Sequence, residues 1–446
     1  MQVIISKNKY VNLIDNLKAN YNNLNDDGSF FAIFSTEYDE KGNVEHDFFE
    51  IIHEAVEIGY TYINTIVYPT KEVQKVFFDD NVRYVVWLCK DVKQMKFNKD
   101  HIREKHIWKD VEWGKRAKNY NPKGKDPGNV WIPTEDDGHA NITKHILMSD
   151  DEVIARLVAM TECDKDYCIL NDENRTITVI DRIEKRTEQD NSVGKVEGKV
   201  VFGTSENMKR IQDGTVSVVI TSPPYWDLKD YFKKGQIGQE PYDEYIARMG
   251  RVWKQCFNKL KDDGVLWINI NIRQQKGEVI LIPYDIVKQC KEMGYTYKGI
   301  LIWHKSSGIP TGDKNIVDRH EYVLIFVKDE TSIIDISAYN DIEDYKNSDI
   351  NGGAFWNINR KAGSVGKKFI HPAIYPNELV GRIVCINSKP GDTILDPFLG
   401  SGTSLIASVQ NNRNFVGYEF NEGFKELMES RFSAELNNID IIRYEN

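Results

Sequence analysis

Two strings carry residue types whose spacing can do chemistry: Thr221-Ser222-Pro223-Pro224-Tyr225-Trp226 and, far downstream, Asp396-Pro397-Phe398-Leu399-Gly400-Ser401-Gly402-Thr403. An exocyclic amine on an aromatic ring is a poor nucleophile, because its lone pair is delocalised into the ring. Acceptors that hold both N–H bonds, here the Ser222 hydroxyl and the Pro223 carbonyl, would localise that pair towards an incoming electrophile. Pro223 and Pro224 stiffen the backbone that aims the carbonyl, and Tyr225 can stack on a base taken out of its duplex. Alone, this string is also a rigid turn with a buried tyrosine. The second string tips the balance towards chemistry.

In that second string, TIL leads into Asp396, and Gly400, Gly402 and Thr403 open a helical run. Glycines allow close backbone approach, and a helix N-terminus can face a carboxylate. One strand later, Glu419 ends FVGYE, where an acidic side chain can accept from both hydroxyls of a ribose. The absence of GxGxxG and the Asp396-Pro397-Phe398 lead-in favour a nucleoside cofactor other than a dinucleotide.

These loops need a frame. From Lys199 on, short apolar runs (KVVFG, VSVVITS, VLWINI, ILIWHK, YVLIFVK, TILDPF, FVGYEF) alternate with helical patterns. The helices are expected over ENMKRI, from Asp243 through Asp263, over IPYDIVKQCKEM, over NELVGRIVCIN and over TSLIASVQN. Such alternation predicts an α/β fold, a mostly parallel sheet with helices on both faces, with ligands beyond the carboxyl ends of the strands. The IWH and LIF runs can form an antiparallel pair. Residues 329–369 break the pattern and read as an inserted, loop-rich segment.

Length and composition bound the partners. A chain of 446 residues with 41% hydrophobic and 28% charged residues predicts a soluble protein of two or three domains. No apolar run reaches membrane length, and the N-terminus lacks a signal-peptide layout, so the expectation is a cytoplasmic protein without a membrane. Six scattered cysteines without a CxxC pair predict neither disulfides nor a metal site. A net charge of −10 argues against nonspecific coating of nucleic acid, yet a local basic groove can still neutralise phosphates. Candidate patches are Lys229, Lys233 and Lys234, and Arg360, Lys361, Lys367 and Lys368; each can equally be a solvated face.

The chain also repeats itself. Asp26-Asp27-Gly28 recurs at Asp262, Gly59-Tyr60-Thr61-Tyr62 at Gly294, the run from Tyr84 at Tyr322, Val130-Trp131-Ile132 at Phe355, and the run from Lys144 at Ile370. The order is kept and the offsets stay between 225 and 238 residues. The first copy lacks both chemical strings. Residues 1–183 therefore read as a degenerate copy of the same architecture, 184–199 as a polar linker and 200–446 as the catalytic unit.

The segment from Val200 to the C-terminus resembles the permuted group of DNA amino-methyltransferases, in which the SPPY motif precedes the cofactor motif. TSPPYWDLKDY, Ile237 to Glu240, Trp303-His304-Lys305, His371-Pro372 with Glu378-Leu379, DPFLGSGTS and GYE carry the resemblance. It implies a Rossmann-like fold and S-adenosylmethionine as donor. Ser222, Pro223, Pro224 and Tyr225 would form the catalytic loop, and Asp396, Pro397, Phe398, Gly400, Ser401, Gly402, Thr403 and Glu419 would bind the cofactor. Lys229, Lys233, Lys234, Trp303, Lys305, Arg360 and Lys361 are the candidates for contact with double-stranded DNA. Trp303 and His304 would line the base pocket or belong to the core, and Trp356 would read the target or anchor its loop. Serine at the first motif position implies cytosine N4 as the acceptor, with adenine N6 the alternative. A silent DNA-binding protein of the same fold is the alternative of another class. The resemblance also implies a restriction–modification setting with a cognate nuclease; from the repeat, the first copy would act as an intramolecular partner or remain as a stabilising remnant, with segment 92–129 or 329–369 reading the bases.

Overall fold

A computed structural model describes residues 1–104, 121–135, 144–163, 166–171, 178–179, 196–228, 233–305, 315–332, 334, 353–358, 364–365, 369–370, 375–436 and 442–445. The strands form two large sheets. The first half contributes β1 (Val3–Lys7), β2 (Ser29–Phe34), β3 (Thr61–Gln74), β4 (Asp80–Cys89) and β5 (Tyr167–Asn171), in the order β3-β4-β2-β1-β5. The second half contributes β6 (Gly198–Phe202), β7 (Val216–Thr221), β8 (Leu260–Ile270), β9 (Thr296–His304), β10 (His320–Val327), β11 (Phe355–Asn357), β12 (Thr393–Asp396), β13 (Asn414–Glu419) and β14 (Ile442–Glu445). Its order is β11-β9-β10-β8-β7-β12-β13-β6-β14.

The five strands of the first sheet match β9-β10-β8-β7-β12 of the second in order and direction. β1 and β2 pair parallel, as do β7 and β8; β2 with β4 and β8 with β10 pair antiparallel. The registers agree as well. Phe31 faces Trp87 in one ladder, and Trp267 faces Ile325 in the other. The IWH and LIF runs do form an antiparallel pair, with Ile302 opposite Tyr322.

Helices α1 (Tyr10–Asn20), α2 (Phe48–Ile58) and α3 (Asp150–Met160) belong to the first half. α4 (Tyr242–Lys259), α5 (Ile282–Glu292), α6 (Asn377–Asn387), α7 (Thr403–Gln410) and α8 (Lys425–Glu435) belong to the second. In α4, Tyr245, Met249, Val252, Trp253 and Cys256 recur at helical spacing and are buried, while Asp243 and Glu244 complement the dipole of its first turn. Where the sequence predicts helix through Asp263, the chain turns to strand at Leu260, because Leu260 already pairs with Val216. The helix expected over Glu206–Ile211 is absent. There the Glu206 carboxylate is taken by Arg248 and Arg251, and the Met208 N–H by Gln255, so the segment runs through turns. Gly198 and Lys199, expected in the linker, begin β6. Most of the expected linker lies outside the described residues.

A continuous apolar core joins the halves. The Phe48 ring stacks on Tyr84 at 4.3 Å and meets Tyr322 at 5.2 Å, and Phe78 lies against Trp267 at 5.8 Å. No helix of the described residues is long and apolar enough to cross a membrane. In the second sheet β8 and β12 lie on opposite sides of β7. That is a switch point of the sheet, where a crevice opens beyond the strand ends.

Candidate functional site

Both chemical strings leave neighbouring strands at that crevice. Ser222 to Tyr225 follow β7, Pro397 to Ser401 follow β12, and all line one cavity of about 390 Å³. Thr221 and Asp396, 175 residues apart in sequence, tie the strand ends together through Thr221 Oγ1 to Asp396 Oδ1 at 2.7 Å.

Asp396 is fully buried. It also accepts from Phe398 N at 2.9 Å, from the Tyr375 hydroxyl at 3.1 Å and from the Ser404 hydroxyl, and burial pushes its carboxyl above the usual range. It shapes the glycine loop from beneath, and neither Asp396 nor Gly402 lines the cavity. Gly400 and Gly402 have φ of 55° and 85°, the left-handed region. A Cβ on Gly402 would also meet Phe432 at 2.6 Å. Arg431, 5% exposed on α8, clamps the loop by donating to the Ser401 carbonyl at 3.0 Å and to the Ser401 and Thr403 hydroxyls, both at 2.8 Å.

Glu419 ends β13 at the same opening. Its carboxylate accepts from Gly400 N at 2.8 Å and Asn421 N at 2.7 Å. Burial nevertheless raises it to about 7. A carboxylate has about four acceptor sites, so two further donors, such as a ribose diol, would complete its bonding and restore its charge. With the glycine turn and the N-terminus of α7 beside it, the residues present fit a nucleoside cofactor.

The other wall of the cavity is a polar cluster around Ser222 and Tyr225. Asn269, 5% exposed at the end of β8, directs the two N–H bonds of Nδ2 at three acceptors, Ser222 Oγ at 3.3 Å, the Tyr225 hydroxyl at 3.1 Å and Glu321 Oε2 at 2.6 Å. The Tyr225 hydroxyl donates to Glu321 Oε2 at 2.8 Å, and Lys305 Nζ to Glu321 Oε1 at 3.0 Å. Burial alone would raise Glu321, but Lys305 and these hydrogen bonds outweigh it and hold the carboxyl below its usual value. Glu321 is therefore a half-buried anion that holds the Tyr225 hydroxyl. The Tyr245 hydroxyl takes the Pro224 carbonyl at 2.7 Å, and Trp226, at φ 50°, donates Nε1 to Glu240 O at 2.8 Å under the guanidinium of Arg273.

Of the expected DNA contacts, Lys305 is spent on Glu321. Trp303 is 2% exposed, lines the cavity wall and donates to Ile358 O at 2.9 Å. His304 is buried against Asn357, and burial pushes it down to about 3. Lys233 lies over the Phe420 ring and faces Glu422, beside the cofactor end; Lys234 is exposed. Trp356 is fully buried on β11. Lys229, Arg360, Lys361, Lys367, Lys368 and His371 lie outside the described residues. Among the described residues no cluster of His, Cys, Asp and Glu could hold a metal, and none of the six cysteines is in a disulfide.

Sequence reasoning missed Asn269, Glu321 and Arg431. Two signals were available: an asparagine interrupting the apolar run VLWINI, and a glutamate immediately before YVLIFVK. Nothing local marks Arg431.

The N6/N4 DNA methylase family model matches residues 5–169 and 216–430. The type II methyltransferase M.Cfr9I of Citrobacter freundii is 29% identical over 265 residues, 52% of this chain and 86% of that protein. M.XycI of Xanthomonas campestris pv. cyanopsidis is 28% identical over 270 residues, with shares of 52% and 86%. Among solved structures, the PvuII DNA methyltransferase (cytosine-N4-specific) aligns over 55% of this chain and 89% of its own, at 21% identity and a TM-score of 0.46.

Proposed function

This chain belongs to the DNA methylase family, and we propose that it is a site-specific methyltransferase of the type II restriction–modification kind, acting on the N4 amino group of cytosine in duplex DNA. The observation that carries the reading is the Thr221–Asp396 hydrogen bond, which ties together the SPPY loop and the glycine loop, both of which line one cavity. The loop order, SPPY before DPF, supports assignment to the permuted group, since adjacent strands make the order along the chain immaterial to the cavity.

Gly400, Ser401 and Thr403, which line the cavity, would hold the cofactor's backbone-facing side and Glu419 its ribose, while Asp396 and Gly402 shape the loop from behind. When bound, S-adenosylmethionine supplies a methyl group on an electrophilic sulfonium. The chain's own part is to present the amine. The Ser222 hydroxyl oxygen and the Pro223 carbonyl accept its two N–H bonds, which keeps the lone pair on nitrogen. Tyr225, pinned by Glu321 and Asn269, stacks on the flipped base. The proton shed by the methylated amine passes to water or to the Ser222 hydroxyl.

We also propose that residues 1–183 are a degenerate methyltransferase-like domain, joined by 184–199 to a catalytic domain over 200–446, in which 329–369 serves target recognition. The matching strand order of the two sheets supports this, as does the family match on both segments. The first domain would then be an intramolecular partner of the second. A cognate nuclease is expected as the second member of the system.

Mass spectrometry of nucleosides tests the reading, after incubation of unmethylated DNA with labelled S-adenosylmethionine and either the native chain or Ser222→Ala. Labelled N4-methylcytosine that disappears in the variant is the expected result. Labelled N6-methyladenine would move the acceptor to adenine. Cofactor binding without label on diverse DNA would favour a silent DNA-binding protein.

A further inference from the structure

Each half carries a β-bulge at the same place in its outer antiparallel pair, and each bulge faces the other half. The ladder of β3 slips between Tyr62 and Asn64, and that of β9 between Tyr297 and Gly299. A bulge leaves one residue outside the ladder and re-aims its groups. The carbonyls of Tyr62 and Ile63 accept from Gln274 Nε2 at 3.3 and 2.8 Å. Reciprocally, Lys298, the bulged residue of β9, donates Nζ to Asn43 Oδ1 at 2.5 Å. Gln274 lies in the hairpin Arg273–Gln275 and Glu278–Ile280, and Asn43 in the hairpin of Glu37–Tyr38 and Val44–His46. The joint is thus pseudo-two-fold, with each half's bulge gripping the other's hairpin.

From this joint a polar chain runs to the cavity. Asn129, 2% exposed in the first half, donates to Asn64 Oδ1 at 3.0 Å and to Asp318 Oδ1 at 3.1 Å, and accepts from Arg319 N at 2.8 Å. Asp318 Oδ2 in turn holds Asn271 Nδ2 at 2.9 Å. Asn271, Gln274 and Asp318 all line the cavity that Ser222 and Glu419 share. Between Asn271 and Gln274 stands Arg273, which donates to the Tyr225 carbonyl at 3.3 Å.

We infer that the first half is a positioning element of the catalytic cavity: Asn129 and the bulged Tyr62–Ile63 backbone hold the rim segment 271–275 where the Tyr225 loop needs it. The inference rests on the reading that this cavity receives the base. It gives the first half a part in the rate of reaction, separate from any part in reading DNA sequence. Asn129 touches no reacting atom and acts through Asp318 and Asn271.

The test uses the full chain with Asn129→Ala and, separately, Gln274→Met, an exposed site where folding is not at stake. Four quantities are measured: kcat, KM for duplex DNA, the dissociation constant for S-adenosylmethionine, and amide hydrogen exchange over 271–280. Each variant should lose about tenfold to a hundredfold in kcat/KM for DNA, as a misplaced rim would cause. Cofactor affinity should stay within about twofold, and exchange over 271–280 should quicken, because local opening sets that rate. Unchanged kcat/KM and exchange in folded variants would overturn the inference, as would a lowered Tm with normal kinetics. Should the native chain methylate no DNA, the underlying reading has failed, and the exchange rates alone decide whether the joint holds the rim.

Discussion

At the carboxyl ends of matching strands the two halves hold opposite contents. The paired registers set Asn269 against Ile33, Trp303 against Tyr68 and Glu321 against Arg83, and, one step past Thr221, Ser222 against Lys7. In the second half the half-buried Glu321 anion borders an open cavity. In the first, Lys7 and Arg83 both pair with Asp150, Arg83 also with Glu72, and the Tyr68 hydroxyl donates to Asp150 at 3.0 Å. The remaining opening, about 270 Å³, is lined by residues that include Lys7, Glu72 and Arg83 of this ion-pair network. Backbone and chemistry are therefore separable in this architecture: a few side chains at strand ends convert a ligand site into a self-satisfied ionic plug, while the strand order stays the same.

If that contrast is correct, equivalent positions should fail in different ways. Arg83→Met leaves Asp150 to Lys7 and Tyr68 alone, and removing one partner from such a poorly solvated network costs about 1–3 kcal/mol. Denaturant unfolding should show that loss, while kcat at a permissive temperature stays unchanged. A drop in kcat with intact stability would break the comparison. At the matching position, Glu321→Ala frees Tyr225 and leaves Lys305 without its carboxylate. The expected result is a kcat about a hundredfold lower with cofactor affinity unchanged, measured in single-turnover assays. Loss of cofactor binding instead would place Glu321 in the wrong wall of the cavity.

A smaller effect sharpens the same contrast, because only the second half has Glu419. In the free protein burial raises it to about 7, whereas hydroxyl donors from a bound ribose would favour its charged form and lower it. Binding must then expel a proton below pH 7. Affinity for S-adenosylmethionine should be level above pH 7 and fall by up to about tenfold per pH unit below it, until the pKa of the bound state is reached. Calorimetry across pH 5–8 checks this, and Glu419→Gln should flatten the profile.

Much of this was legible in the chain. The alternation of apolar runs and helical patterns announced the sheet, since buried parallel strands read as continuous apolar stretches. Both chemical loops were legible because turn geometry is local: prolines and glycines restrict or free the residues beside them. The strands of the repeat could be matched because hydrophobic registers leave a periodic trace. The helix expected over Glu206–Ile211 failed because Arg248, 42 residues away, captures the Glu206 carboxylate, a competitor that no local window contains.

What the sequence determined by itself was the kind of chemistry and the strands that carry it, both encoded in contiguous residues. Only the tertiary structure decided which side chains meet at the candidate site. Glu321 reaches Tyr225 across 96 residues, Asn269 reaches Ser222 across 47, and Asn129 reaches Asp318 across 189. A hydrogen bond depends on ångströms in space, and separation along the chain leaves no mark of it. The same holds for the contrast between halves. Lys7 and Arg83 are ordinary basic residues in the sequence, and they become a plug only because folding brings Asp150 between them.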